Sequence, residues 1–142
     1  MGNLSEHFNQ EDFICNCDAC KGKEFRIHLG LVGALENIAV HFGKTITVGS
    51  AYWCENYYDS LKRNRRTYHT SGKAAHIRID GVELPELFKY AETVDGLNGI
   101  GFYPKENFIH VDTRPPEKRE LWVKEGENYS PLTAEKRRIY GL

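Results

Sequence analysis

Residues 69–80 have the sequence HTSGKAAHIRID. From His76 onward, polar and apolar residues alternate, a pattern that is typical of a strand with one buried face. His76 and Asp80 would then share one face of the strand, and Ile77 and Ile79 would share the other. The stretch therefore predicts a strand that packs two isoleucines into a core and presents a histidine on the opposite side.

A second stretch, FIHVDT at residues 108–113, alternates in the same way. His110 and Asp112 share its polar face, so pairing with the strand of His76 would bring both imidazoles to one side of a sheet. His69 lies in the predicted turn just ahead of the first strand. Histidine is the commonest metal-ligating side chain, and a catalytic zinc takes three protein ligands plus an open position for water. The spacing therefore predicts a zinc site made by His69, His76 and His110.

The remaining chain has alternating helical and extended patterns. Apolar residues recur every three or four positions from Arg26 to His41, and Gly43 follows, which predicts a helix that ends at that glycine. We expect Trp122 to pack a charged tail onto the body of the protein. Further predicted elements are a strand at Thr45–Val48, a helix at Leu84–Thr93, a strand that ends at Tyr103 and a short helix at Thr133–Tyr140.

Length and composition narrow the class of protein. The chain has 142 residues, enough for one domain with a buried core, and we assign residues 1–142 to a single domain. Its 19 basic and 20 acidic side chains give no bulk attraction to nucleic acid. The apolar window at residues 27–42 is interrupted by polar residues, so we expect no membrane span. The first seven residues lack a basic region followed by an apolar core, so we expect cytosolic synthesis, and we expect a monomer.

Four cysteines leave several interpretations open. Cys15, Cys17 and Cys20 form a Cys-x-Cys-x-x-Cys cluster, and Cys54 stands alone downstream. Four thiolates are a known ligand set for a structural zinc ion. The same residues could form disulfides or remain as free, buried thiols.

Two motifs carry a resemblance to a known family. Residues 67–76 match the pattern Ser-x-His-x-x-Gly-x-Ala-x-Asp, and residues 108–114 match Phe-Val-His-Val-Asp-x-Arg. Supporting matches occur at residues 44–52 and 99–103. The chain resembles the zinc D-alanyl-D-alanine carboxypeptidase family, peptidoglycan peptidases that share a metal site with the hedgehog signalling domain. The resemblance extends over residues 5–114 and leaves 115–142 as a C-terminal extension.

The resemblance implies a fold, a substrate and a place of action. The fold would be α+β, with a small antiparallel sheet that carries one catalytic-type zinc ion and packs against helices. The activity would be hydrolysis of D-amino-acid-containing stem or cross-link peptides of peptidoglycan, by a carboxypeptidase or endopeptidase resembling an endolysin. The protein would then act on the bacterial cell wall.

The resemblance also assigns roles to individual residues. His69, His76 and His110 would be the zinc ligands, with His76 standing where the family has aspartate. A neutral ligand in place of an anionic one leaves the ion more electrophilic. Asp112 would polarise the zinc-bound water or orient His110, and Glu106 is the second candidate for the catalytic carboxylate.

Substrate recognition depends on a region in which the chain departs from the family pattern. The family's carboxylate-binding arginine, which follows Ser-x-Tyr, is replaced here by Trp53. We expect Tyr52, Trp53 and Arg114 to contact substrate. Asp112 has a second interpretation, as a carboxylate that merely pairs with Arg114. The alternative function is a catalytically attenuated, zinc-containing module that binds or assembles the cell wall.

Overall fold

A computed structural model describes residues 7–8, 28–50 and 73–142 of the chain. Within these residues the chain forms three α-helices and six strands, which confirms the predicted α+β class. In chain order the elements are α1 (Leu29–Phe42), β1 (Thr47–Ser50), β2 (Ala74–Arg78), α2 (Leu84–Thr93), β3 (Gly99–Tyr103), β4 (Phe108–Asp112), a 3-10 turn (Pro116–Lys118), β5 (Glu120–Glu125), β6 (Asn128–Pro131) and α3 (Ala134–Tyr140).

The two longer helices form where apolar residues recur at helical spacing. In α1 the buried positions include Leu31, Leu35 and Ile38, which lie three or four residues apart on one face. This helix ends at Gly43, whose φ of 61° is the left-handed conformation that glycine adopts without strain. The bounds of α2 are those predicted from the sequence, with Pro85 in its first turn. None of the described helices combines the length and the apolar character that a membrane span requires.

The described strands form one sheet in the order β1-β2-β4-β3-β5-β6. Most neighbours are antiparallel, but β3 and β5 are parallel, so the prediction of an antiparallel sheet is wrong at this pair. The reason is topological. Strand β4 already has β2 and β3 as neighbours, so the returning chain does not pair with β4 and instead adds β5 beyond β3. It runs opposite to β4 and hence parallel to β3.

The strand bounds also differ from the prediction. Strand β1 begins two residues later than Thr45, and β2 covers Ala74–Arg78 instead of starting at His76. Residues 115–142, expected as a charged extension with one short helix, also contribute β5 and β6 to the same sheet. These two strands were not predicted, because Pro115 and Pro116 indicate the end of a regular element.

The core lies between the helices and one face of the sheet. The β-branched residues of β2 and β4 point into it, and Phe88 of α2 meets Phe102 of β3 edge to face, with ring centroids 5.7 Å apart. Val123 of β5 is fully buried in the same cluster. The opposite face of the sheet is therefore left to carry the polar residues.

Candidate functional site

The polar face of the sheet, which we call the site face, collects side chains from five strands. Alternation along each strand and the register between strands place these residues side by side. The site face comprises His76 and Arg78 of β2, Phe108, His110 and Asp112 of β4, Gly99, Gly101 and Tyr103 of β3, Trp122 and Lys124 of β5, and Tyr129 of β6.

Two predicted zinc ligands are direct cross-strand neighbours on this face. His76 of β2 is paired in register with His110 of β4, and their ring centroids are 5.3 Å apart. His110 is buried, whereas His76 is half-buried and stacks on Phe108 at 4.3 Å. The predicted pairing of these strands is thus confirmed, and it brings the two imidazoles together.

The geometry of the two rings suits a shared ion. Two imidazoles on one tetrahedral zinc ion, with Zn–N bonds of about 2.1 Å, have ring centroids roughly 5 Å apart. The separation of His76 and His110 is 5.3 Å. Across the part of the chain that the structure describes, no three His, Cys, Asp or Glu side chains are grouped so as to hold an ion. The predicted third ligand, His69, lies outside the described residues.

Asp112 lies beside His110 and is fully buried. His110 Nε2 and Asp112 Oδ2 are 2.8 Å apart. Arg114 donates from Nε to Oδ1 at 2.9 Å and from Nη2 to Oδ2 at 2.7 Å, and its backbone N–H donates to Oδ1 at 3.1 Å. The carboxylate therefore accepts hydrogen bonds on both oxygens from a histidine and an arginine.

These contacts decide the charge of the carboxyl group. Burial raises the pKa of Asp112, but the hydrogen bonds from His110 and Arg114 outweigh it and hold this pKa well below its usual range. Arg114 is itself largely buried and also donates to Glu120 at 2.9 Å. Asp112 is therefore a stable anion that can fix the tautomer and orientation of the His110 ring.

Two glycines of β3 make room for the neighbouring side chains. A Cβ atom on Gly99 would lie 2.2 Å from both carboxylate oxygens of Asp112. A Cβ atom on Gly101 would lie 2.5 Å from the indole of Trp122. The absence of these two Cβ atoms lets Asp112 and Trp122 lie over β3 from opposite sides.

The sequence profile of the Peptidase M15 family matches residues 6–112 of the chain. This match covers most of the chain and ends at Asp112. The chain belongs to the Peptidase M15 family. Its members are peptidases, so the paired histidines and the buried carboxylate lie in the fold of a hydrolase.

Curated proteins that match part of this chain are named as peptidoglycan endopeptidases. The peptidoglycan L,D-endopeptidase MepK of Escherichia coli K12 is 39% identical over 51 residues, which are 36% of this chain and 28% of that protein. The probable peptidoglycan L,D-endopeptidase MepK of Haemophilus influenzae is 47% identical over 51 residues, 36% of this chain and 27% of that protein. The matched segment thus spans little more than a quarter of each relative.

Trp122 lies beyond the residues that match the Peptidase M15 family, yet it contacts the site. Its ring centroid is 5.0 Å from that of His110, its Nε1 donates to Tyr103 Oη at 3.3 Å, and the guanidinium of Arg114 lies 5.3 Å from its ring centroid. The sequence predicted only that Trp122 packs the tail. The short apolar run Leu121–Val123, bounded by charged residues, is the local signal that would have indicated a strand here.

Glu106 occupies the turn between β3 and β4 in this Peptidase M15 chain. Its carboxylate accepts a hydrogen bond from Lys124 Nζ at 2.8 Å. The hydrogen bond from Lys124 lowers the pKa of Glu106 below its ordinary value, and the same bond raises the pKa of Lys124. Glu106 is thus engaged by a lysine of the site face.

Several predicted site residues lie outside the described residues. They are His69, the expected substrate contacts Tyr52 and Trp53, and the cysteines Cys15, Cys17, Cys20 and Cys54. Arg114, the third expected substrate contact, is described, and its guanidinium is engaged by Asp112 and Glu120. Arg114 therefore supports Asp112, and its contact with substrate stays a prediction.

Proposed function

We propose that this chain is a zinc-dependent peptidase that hydrolyses D-amino-acid-containing stem or cross-link peptides of peptidoglycan. The observation that carries the proposal is the juxtaposition of His76 and His110, with ring centroids 5.3 Å apart, on the site face of a Peptidase M15 chain. Its relatives named as peptidoglycan endopeptidases support the choice of substrate. Action on the bacterial cell wall follows from that substrate.

The donor set fits zinc. His76 and His110 would hold the ion together with His69, because imidazole nitrogen is a preferred zinc ligand. With Nε2 of His110 committed to Asp112, the ring would bind through Nδ1. When bound, zinc polarises the scissile carbonyl and makes a water molecule acidic enough to attack it near neutral pH.

The chain's own residues prepare the site for that chemistry. Asp112 accepts the Nε2–H of His110 and holds the ring in one tautomer, and Arg114 keeps Asp112 ionised and in place. Trp122 packs beside the same ring and restricts the access of water to it. Both oxygens of Asp112 are occupied by donors, so we assign this residue to orientation of His110 and not to proton transfer.

A second candidate function is the zinc-containing binding or assembly module without hydrolytic activity. The observation that favours it is the stacking of His76 on Phe108, with ring centroids 4.3 Å apart and an angle of 16° between the planes. A stacked imidazole can serve packing alone. The two candidates differ in whether a zinc-loaded chain releases peptide ends.

Metal binding and hydrolysis test the proposal together. We expect the wild-type chain to bind a zinc ion at this site and to release new amino termini from purified peptidoglycan only when the site is loaded. His110→Ala should weaken zinc binding by about 100-fold or more and abolish release, because it removes one of three ligands. Binding is measured by calorimetry, and new termini are measured by amine labelling.

The control is His41→Ala. His41 is an exposed histidine of α1 that stacks on Tyr90, outside the site face. This variant should bind zinc and release termini as the wild type does. Zinc binding without release would favour the module, particularly if His76→Asp then gained activity. Equal zinc affinity in wild type and His110→Ala would exclude the metal site.

A further inference from the structure

An ion pair lies at one end of the site face. Lys124 of β5 donates from Nζ to Glu106 Oε1 at 2.8 Å, and Glu106 lies in the turn that joins β3 to β4. The side chains of Lys124 and Glu106 are 17% and 34% exposed, so the pair is partly open to solvent. Such partly exposed pairs hold together by only about 0–1 kcal/mol, so another charged group can replace either partner.

Aromatic rings flank this pair and connect it to the histidines. The ammonium of Lys124 is 5.8 Å from the ring centroid of Tyr103 and 5.7 Å from that of Tyr129, and Tyr129 is half exposed. Tyr103 stacks on Phe108 at 4.6 Å, and Phe108 stacks on His76. The aromatic surface is therefore continuous from the ion pair to the predicted metal ligands.

The charges select the kind of group that can bind here. A lone carboxylate attracted by Lys124 would be repelled by the Glu106 carboxylate, and a lone ammonium attracted by Glu106 would be repelled by Lys124. A group that carries an ammonium and a carboxylate on one carbon meets an opposite charge on each side. Such a group replaces the ion pair between Glu106 and Lys124 with two new ion pairs, one to each residue. The net charge at this position stays zero.

We propose that Glu106 and Lys124 form a substrate subsite that binds a free amino-acid centre, with Lys124 receiving its carboxylate and Glu106 its ammonium. Tyr103 and Tyr129 wall the subsite. This inference rests on the proposed peptidase function and names the group by which the enzyme recognises its peptide. It assigns Glu106 to substrate binding instead of proton transfer.

Hydrolysis of three matched peptides tests the inference. The peptides share one cleavable bond and a diamino-acid side chain whose distal centre is free, amidated at the carboxylate or acetylated at the amine. Lys124→Met should lower kcat/KM for the free peptide by about tenfold through KM, the equivalent of one charge-assisted hydrogen bond. The amidated peptide should change by no more than about twofold, because it already lacks that partner.

Glu106→Gln completes the test. This variant should lower kcat/KM for the free peptide, again through KM. It should leave kcat/KM for the acetylated peptide unchanged. A fall in kcat that is equal for all three peptides would overturn the inference, because it would make Glu106 a proton-transfer group. Equal activity of both variants and wild type on the free peptide would overturn it as well.

The matched control is Lys136→Met. Lys136 forms an ion pair with Glu125 of the same strand β5, but this pair lies off the site face and its side chains are similarly exposed, at 28% and 34%. This variant should keep the wild-type ranking of the three peptides. A changed ranking would mean that loss of any ion pair on β5 perturbs the enzyme, which would overturn the inference.

A binding measurement separates this inference from the proposed function. NMR spectra of the zinc-loaded and metal-free chains are titrated with D-alanine, D-alaninamide and N-acetyl-D-alanine. D-alanine should shift the resonances of Lys124 and Tyr129, whereas both blocked forms should bind about tenfold more weakly. Equal responses to the three probes, or none, would overturn the subsite. If no peptide is hydrolysed but D-alanine binds selectively, the peptidase assignment fails and the subsite stands.

Discussion

At the residue scale, the site depends on the absence of a Cβ atom at Gly99 and Gly101. Each glycine leaves a volume that a neighbouring side chain fills, the carboxylate of Asp112 in one case and the indole of Trp122 in the other. The Asp112 carboxylate has little freedom to move, since His110 and Arg114 hold both of its oxygens. A side chain at position 99 would therefore break a buried charge network.

Gly99→Ala tests this dependence. Its Cβ atom would lie 2.2 Å from both oxygens of Asp112, so we expect the free energy of unfolding to fall by about 2–4 kcal/mol. Gly33→Ala is the matched control, because Gly33 lies in the exposed interior of α1 with no atom near the added Cβ. The control should raise stability by about 0.5–1 kcal/mol. Urea unfolding measures both, and a stable Gly99→Ala would contradict the packing argument.

At the element scale, the hairpin of β5 and β6 was the least predictable part of the fold. Helix α2 and strand β4 were predicted because their apolar residues follow helical and extended periods within the segment itself. Strand β5 has only a three-residue apolar run, and its parallel partner β3 is not its neighbour along the chain. Pairing of this kind depends on which sheet edge remains open, a property that local sequence does not contain.

Glu125 at the end of β5 anchors α3, and we expect this contact to make the stability of the protein depend on pH. Hydrogen bonds from Lys136 and Tyr140 lower the pKa of Glu125, and the bond to Glu125 raises the pKa of Tyr140. The contribution of ionised Glu125 to stability is therefore present above pH 4.5 and is lost as pH falls further. The contribution of protonated Tyr140 to stability is present below pH 10.0 and is lost as pH rises further.

The variant Glu125→Gln should flatten the stability profile on both sides, as measured by urea unfolding from acid to alkaline pH. Tyr140→Phe should remove the Tyr140 contribution on the alkaline side and reduce the Glu125 contribution on the acid side only in part, because Lys136 still contacts Glu125. Profiles of both variants that run parallel to that of the wild type would contradict this assignment.

At the scale of the whole molecule, the sheet serves two purposes with its two faces. The apolar face packs on the helices and supplies the core, and the site face is left for His76, His110 and their partners. Residues beyond the family match are part of this arrangement, because Val123 is buried in the core and Trp122 contacts His110. Strand β5 is thus integral to the fold.

Truncation tests that conclusion. A chain that ends at Arg114 loses β5, leaves β3 as an edge and removes Val123 from the core, so we expect no cooperative unfolding transition. A chain that ends at Leu132 keeps every described strand and loses only α3, which has no buried residue. This control should still unfold cooperatively. Circular dichroism in urea measures both, and a cooperative transition in the shorter chain would show that the extension is dispensable.

The sequence by itself determined the helices, the strands that carry His76 and His110, and the family, because periodicity and motif spacing are local properties. Tertiary structure alone decided that Trp122 packs beside His110 and that Glu106 meets Lys124. These contacts join residues on different strands or turns, and they depend on register and on which sheet edge was open. Such non-local geometry arises only when the sheet is assembled.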